Sequence, residues 1–317
     1  MSEKKSLSLV VPIYNEEKNI PVFVDRAVAV LEKLCKDSSY EIIFALDPSK
    51  DASAERVVSL REKNPNIKLL LFSRRFGQPI ATMAGINYAS GDAVVVIDVD
   101  LQDPPELISE LVRKWREEDA DVVYAQRRTR EGETFIKKAI THVGYYVINK
   151  ITDIKIPRNT GDFRLMDRKV VTHLNKMTEK DFFLRGLVSY VGFKQTNVLY
   201  DRDPRLSGLG NYNRYLGSLT IAFNGIFCFS RYPLHLISVV GGSLLILAVL
   251  LLILSYFFSG HLISGHLLIL IAAMAFFTSL LMLAIGIVAE YLARMYDGIL
   301  QRPAYIVDRA IGFSFNK

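Results

Sequence analysis

The sequence predicts an α/β domain with a mostly parallel sheet, followed by a two-helix transmembrane hairpin. Three features predict it. Strand-like apolar runs alternate with helix-like segments through the first half of the 317 residues, the pattern of a parallel sheet covered by helices on both faces. An acidic run, Asp98-Val99-Asp100-Leu101-Gln102-Asp103-Pro104-Pro105, follows directly on Ala93–Ile97, whose β-branched, apolar character is that of a fully buried central strand. Finally, the 58 residues from 232 to 289 contain no Asp, Glu, Lys or Arg. That is room for two spans of about 20 apolar residues each and a short turn.

The elements follow in order. Leu7–Val11, Glu41–Leu46, Lys68–Phe72, Ala93–Ile97 and Asp121–Ala125 read as strands, with helices over Asn19–Lys36, Ala52–Lys63, Pro79–Ala89 and Pro105–Glu118 between them. Asp103 caps the last of these ahead of two prolines that the first helical turn tolerates, and Gly91-Asp92 turns the chain into the central strand. Glu133–Thr152 and Asp167–Met177 read as helices and Gly192–Leu199 as a late strand. From Asn211 to Arg231 the chain mixes Tyr, Phe and Leu with few charges. An interfacial segment at headgroup depth and a soluble helix on the domain both fit. The spans lie near Pro233–Phe258 and Leu267–Tyr291. The layout is therefore a domain over 1–210, a juxtamembrane segment over 211–232, two spans over 233–291 and a tail over 292–317.

Hydrophobic residues make up 50% of the chain and mean hydropathy is +0.21, an excess concentrated in the spans. Arg231, Arg294, Arg302 and Arg309 flank them, whereas the turn between them carries only His261 and His266. The positive-inside rule then places the domain and both termini in the cytoplasm. Met1-Ser2-Glu3-Lys4-Lys5 has no signal-peptide character. Cys35 and Cys228 have no metal-ligand spacing and imply no disulfide framework. A net charge of +6 suits anionic partners, lipid headgroups or a phosphorylated substrate. Nucleic acid is not among the expected partners.

Two carboxylates at i and i+2 point the same way on an extended backbone, and a divalent cation is the usual reason for tolerating their repulsion. Mg2+ takes one or two carboxylates and completes its shell with water and substrate phosphates. The chain has no GxGxxG and no GxxxxGK[ST] loop, so phosphates would have to be held by a metal and arginines. Val11-Pro12-Ile13-Tyr14-Asn15-Glu16-Glu17 follows the first strand and Asp47-Pro48-Ser49-Lys50-Asp51 the second. Downstream stand Asn159-Thr160-Gly161-Asp162-Phe163-Arg164-Leu165-Met166-Asp167-Arg168 and Phe183-Leu184-Arg185-Gly186-Leu187-Val188-Ser189-Tyr190-Val191-Gly192. With the acidic run, these motifs resemble family-2 glycosyltransferases of the GT-A fold, in particular the polyprenyl-phosphate branch that includes the bactoprenol glucosyltransferases. Dolichyl-phosphate mannose synthases are more distant. The resemblance runs from about Ser6 to Tyr305.

The resemblance implies a Rossmann-like GT-A domain and inverting transfer of a sugar from a nucleotide diphosphate sugar to a polyprenyl phosphate. By motif matching, Pro12, Tyr14, Glu16, Ala45 and Asp47 frame the base and ribose. Asp98, with Val99 beside it, contacts the nucleotide sugar, and Asp100 and Gln102 hold Mg2+ or Mn2+. Arg127 and Arg205 approach the diphosphate or the acceptor phosphate. Asp162 occupies the position given the base role in relatives, with Arg164 binding phosphate. The acceptor phosphate has a second pKa near 6 and is already largely anionic at neutral pH, so little basicity is needed. Arg127, Arg128, Arg130, Lys137 and Lys138 would form an acceptor loop near anionic headgroups.

The chain also departs from the family pattern. Leu46-Asp47-Pro48-Ser49 stands where relatives read Asp-Asp-Gly-Ser, and Pro cannot adopt the positive φ of that glycine. Arg75-Phe76-Gly77-Gln78 replaces Asn-Phe-Gly-Lys, and Leu209 and Asn211 replace a glutamate and a lysine of a later motif. The expectation is glucose transfer from UDP-glucose; another donor (GDP-mannose, a UDP-amino sugar or an aminoarabinose derivative) and a catalytically silent membrane scaffold remain as alternatives. Homo-oligomerisation is left open.

Overall fold

The structure is a computed structural model that describes residues 5–128, 157, 160–177, 183–202, 227, 230, 232–257 and 263–313. The helix expected over Glu133–Thr152, its basic residues, Arg205, Leu209 and Asn211 lie outside the described residues, as does nearly all of 211–231.

The domain is one eight-stranded sheet in the order β7-β5-β6-β4-β1-β2-β3-β8. Its strands are β1 (Leu7–Ile13), β2 (Tyr40–Leu46), β3 (Ile67–Phe72), β4 (Ala93–Val96), β5 (Val122–Arg127), β6 (Thr160–Asp167), β7 (Gln195–Tyr200) and β8 (Val307–Ile311). The central β1, β2, β3 and β4 run parallel. Their side chains are buried on both faces, as the near-continuous apolar runs require. Helices α1 (Asn19–Leu34), α2 (Ser53–Lys63), α3 (Gln78–Tyr88) and α4 (Ile108–Glu117) make the crossovers. Two hydrophobic clusters result, one on each face of the sheet. Phe23, Phe44 and Trp115 belong to one, and Met83, Ile86 and Met166 to the other. Trp115 packs as expected and also donates Nε1–H to Asp167 at 2.9 Å.

Three features differ from the sequence reading. β4 stops at Val96, so Asp98 and Asp100 lie in a turn rather than on an extended strand. Leu101 in that turn is buried with φ +60°, a conformation that a non-glycine residue adopts only at a cost of about 1–3 kcal/mol. The segment Thr160–Asp167 is a strand, β6, inserted antiparallel between β4 and β5. Lastly, the tail after the apolar helices re-enters the domain as β8, antiparallel to β3. Tyr305 packs edge-on against Phe72, and Phe313 against Tyr88.

Beyond α5 (Arg168–Leu174), α6 (Leu184–Val191) and β7 come two long helices, α7 (Tyr232–Phe257) and α8 (Ile263–Ile299). Among the described residues one stretch, Phe276–Ile299 in α8, is long and apolar enough to cross a membrane, and none of its most apolar window is buried. The start of α7 meets the end of α8. Tyr291 donates its hydroxyl to the Ser230 carbonyl at 2.7 Å, and its ring lies 5.3 Å from that of Phe227.

At the amino edge of the sheet, Gly91 sits where backbone meets backbone. A Cβ there would lie 2.7 Å from Ser8 N and 2.8 Å from Leu7 C. Because main chain cannot yield as a side-chain end can, Gly91→Ala is expected to destabilise the fold by about 1–3 kcal/mol. Chemical denaturation checks this; the turnover of the folded fraction should be unchanged, since the site lies at the opposite edge.

Candidate active site

In an open α/β sheet, ligands bind outside the carboxyl ends of the strands where the strand order reverses. Here that point lies between β1 and β4, since β2 and β3 extend one way from β1 and β4 lies on its other side. The cleft found there has a volume of about 410 Å3, and Pro12, Tyr14, Glu16, Asp47, Asp98, Val99, Asp100 and Gln102 all line it. Eight residues expected from sequence to meet the donor are thus brought together. Ala45 is not among them. It is fully buried on β2, paired with Pro12.

Loops after neighbouring strands hold the wall of the cleft. Asn15, at φ +56°, donates its backbone N–H to Ser49 Oγ at 3.0 Å and accepts from Lys50 N at 2.8 Å. Asparagine tolerates this left-handed geometry better than most residues. Glu16 N donates to Ser53 Oγ at 2.9 Å, and Asn19 Nδ2 donates to the Glu16 carboxylate at 2.5 Å. Asp47 is buried and accepts from the backbone N–H groups of Phe76 at 2.9 Å and Gly77 at 2.8 Å. It therefore fixes the loop after β3. Gly77 has φ +92°, a value glycine adopts without steric cost.

The acidic loop after β4 forms the floor. Asp100 Oδ1 accepts from Gln102 N at 3.2 Å, and Gln78 Nε2 donates to Asp98 Oδ1 at 2.7 Å. Burial, with Asp103, Asp100 and Asp162 nearby, pushes the Asp98 carboxyl up to about 8, opposed only in part by Arg202. Crowded carboxylates of this kind fit a divalent cation, whose charge would relieve their repulsion. Asp98, Asp100 and Gln102 are the donors placed to hold one. Among the described residues no group of three or more His, Cys, Asp or Glu side chains is arranged as a metal site. A cation there would complete its shell with water and donor phosphate oxygens.

β6 brings the second half of the site to this edge. Val96 pairs with Arg164, and continuing that register places Asp162 opposite Asp98. Asp162 accepts from Arg185 Nε at 3.0 Å. Burial alone would raise its pKa, but Arg185, Arg164 and Arg127 outweigh burial and hold it below the usual carboxylate range. Arg164 is buried and donates Nη2–H to the Gly161 carbonyl at 2.9 Å, so it reaches Asp162 through its charge. Arg127, at the end of β5, lies outside the lining of the cleft. Its Nε donates to Tyr200 Oη at 3.3 Å, and its Nη2 is 3.9 Å from Asp103. Asp103 is buried and also accepts from Tyr200 Oη–H and from Arg202 Nε at 3.2 Å. Sequence reasoning assigned no role to Arg185, Arg202, Tyr200 or Arg75, and for Arg185 the Phe-Leu-Arg-Gly motif was the available signal.

A family model described as glycosyl transferase family 2 matches residues 8–174, more than half of the chain. An uncharacterized glycosyltransferase of Synechocystis sp. is 44% identical, the match covering 98% of this chain and 96% of the relative. A prophage bactoprenol glucosyl transferase homolog of Escherichia coli (strain K12) is 37% identical, over 96% of this chain and 98% of the relative. Among solved structures, a mannosyltransferase from Pyrobaculum calidifontis in complex with GDP-Man and Mn2+ superposes with a TM-score of 0.47 at 14% identity, over 95% of this chain and 89% of that one. The family match covers the strands that build the cleft, and the relatives extend through the apolar helices to β8. The chain therefore belongs to glycosyl transferase family 2, with proteins named bactoprenol glucosyl transferase among its near full-length relatives.

Proposed function

We propose that this protein transfers glucose from UDP-glucose to undecaprenyl phosphate or another polyprenyl phosphate, with inversion at the anomeric carbon, at the cytoplasmic face of the membrane. The observation that carries the lipid acceptor is topological. The chain leaves the sheet for α7 after Tyr200, at the carboxyl edge of β7, and returns from α8 at Val307, opposite Phe72 at the carboxyl edge of β3. Both connections to the apolar helices lie on the edge where the cleft opens. That arrangement supports a site facing the membrane surface, where a lipid phosphate resides.

The same topology supports two crossings. A chain that leaves a sheet and rejoins it crosses a membrane an even number of times, and α7 and α8 supply two helices. Their side chains are unusually exposed for apolar residues, with Val239, Ile246 and Leu283 each at 64%, the signature of a surface meant for lipid or partner. Arg231, Arg294 and Arg302 then mark the cytoplasmic side, and residues 1–210 with β8 form the catalytic domain.

The chemistry follows from charge. Leaving-group departure builds negative charge on the diphosphate, and a divalent cation bound by Asp98, Asp100 and Gln102 would supply Lewis-acid stabilisation there. Pro12, Tyr14, Glu16 and Asp47 bind and orient the nucleoside at the β1 side. Asp162 orients the acceptor and, with Arg127, Arg164 and Arg185, makes an electropositive wall for its phosphate. Arg205 belongs to the same proposed set.

The test is incubation of purified protein with undecaprenyl phosphate, Mn2+ or Mg2+, and a panel of nucleotide sugars. A lipid-linked glucose product from UDP-glucose, lost on chelation, is expected. Product from GDP-mannose or an amino-sugar donor alone would overturn the choice of glucose. Silence with every donor, under conditions where a bactoprenol glucosyl transferase works, would overturn the enzymatic reading in favour of a membrane scaffold.

A further inference from the structure

The cleft has a charge problem. Glu16, Asp47, Asp98 and Asp100 line it, and among the described lining residues Arg75 is the sole cation. A nucleoside diphosphate entering here meets carboxylates of its own sign, and a single bound cation near Asp98 and Asp100 leaves the β1 side uncompensated. Arg75 stands on that side. Its guanidinium lies 4.1 Å from the centroid of the Tyr14 ring, a stacked geometry that restrains the planar group while its N–H edges remain able to bond. The loop that carries it is held by the buried Asp47, through the N–H groups of Phe76 and Gly77, so its placement is built into the fold.

Three residues further on, Gln78 gives its amide to Asp98 at 2.7 Å. The segment thus presents a cation toward Tyr14 and a neutral donor toward Asp98, the reverse of the Asn-Phe-Gly-Lys order that it replaces. We propose that Arg75 is a donor-binding residue that grips the diphosphate of the nucleotide sugar from the Tyr14 side, and that Gln78 is the neutral partner of Asp98. This rests on the nucleotide-sugar reading above.

Calorimetric titration of the detergent-solubilised full chain with UDP and with GDP, in Mg2+ and without acceptor, tests it. One charged, forked contact sets the scale. Arg75→Ala should weaken the nucleotide that binds by roughly tenfold or more at low salt, with the deficit shrinking as salt rises. Arg75→Lys should recover only part, because an ammonium neither stacks nor forks. Arg75→Asn with Gln78→Lys should bind more tightly than Arg75→Asn alone, since a cation returns to the cleft. Because Arg75 is solvent-exposed, its variants should melt close to wild type. Unchanged affinity in Arg75→Ala would overturn the assignment while leaving the donor reading intact. A wild-type protein that binds neither UDP nor GDP would overturn both.

Discussion

Asp98→Asn is expected to raise the melting temperature of the cation-free protein at pH 8 while lowering sugar transfer roughly 10³-fold, the scale of several kcal/mol of lost electrostatic stabilisation. The two effects have one origin. Burial and the neighbouring Asp103, Asp100 and Asp162 carboxylates push Asp98 up to about 8, against about 3.9 in an unfolded chain. Between those values the folded protein keeps a proton that the unfolded chain gives up. Stability therefore falls as pH rises from about 4 toward 8, then levels off. Asn is neutral at every pH and can still accept from Gln78, so the variant should lose that slope. A divalent cation favours the ionised carboxylate. Mn2+ should accordingly stabilise the wild type more at pH 8 than at pH 5, and the variant little at either. Thermal melts in chelator and in Mn2+ across this range check the prediction. An Asn variant that melts no higher than wild type in chelator at pH 8 would show that the carboxylates do not repel one another as described.

Much of this site was legible in the chain because its parts are local. A buried β-branched run followed by Asp98 and Asp100 reads directly as a strand end at a ligand-binding edge, and eight of the expected donor residues do line one cleft. What escaped is non-local or breaks periodicity. β6 carries Asp162, yet its buried positions include Arg164 and Gly161 and run four in a row, so no alternation announces a strand. Its antiparallel insertion depends on β4 and β5, which are distant in sequence. β8 is five residues with two charges, and only pairing with β3 gives it structure. Asp98 and Asp100 share the cleft through a turn at Leu101 rather than through the pleat of an extended strand, because β4 ends two residues before Asp98. The sequence also shows a cation missing at position 78, but the guanidinium of Arg75 over Tyr14 becomes visible only once the loops after β1 and β3 are folded side by side.

Asp162→Asn should cut turnover on the order of 10²-fold or more, within the range of a positioned acid–base group, without removing the acid limb of the pH–rate profile. Two routes to that loss give different profiles. If Asp162 takes a proton from the acceptor, rate should follow its own ionisation, and the Asn variant should have no such limb. The structure argues for the other route. Arg185 at 3.0 Å, together with Arg164 and Arg127, holds Asp162 below the usual carboxylate range despite its burial. A carboxylate so stabilised as an anion is a weak base. The acceptor phosphate loses its second proton near pH 6, so above that pH the nucleophile is ready without help. Asp162 then acts by holding Arg185 and its neighbours against the acceptor, and the acid limb, near pH 6, belongs to the substrate. Steady-state rates of both proteins on undecaprenyl phosphate from pH 5 to 8 separate the cases. A limb near 6 in wild type that survives in Asp162→Asn supports orientation, and one that vanishes assigns proton transfer to Asp162. Arg185→Ala adds a second readout. Because it removes the nearest cation from Asp162, it should raise KM for the lipid phosphate and leave nucleotide affinity unchanged, an outcome that a purely structural ion pair would not produce.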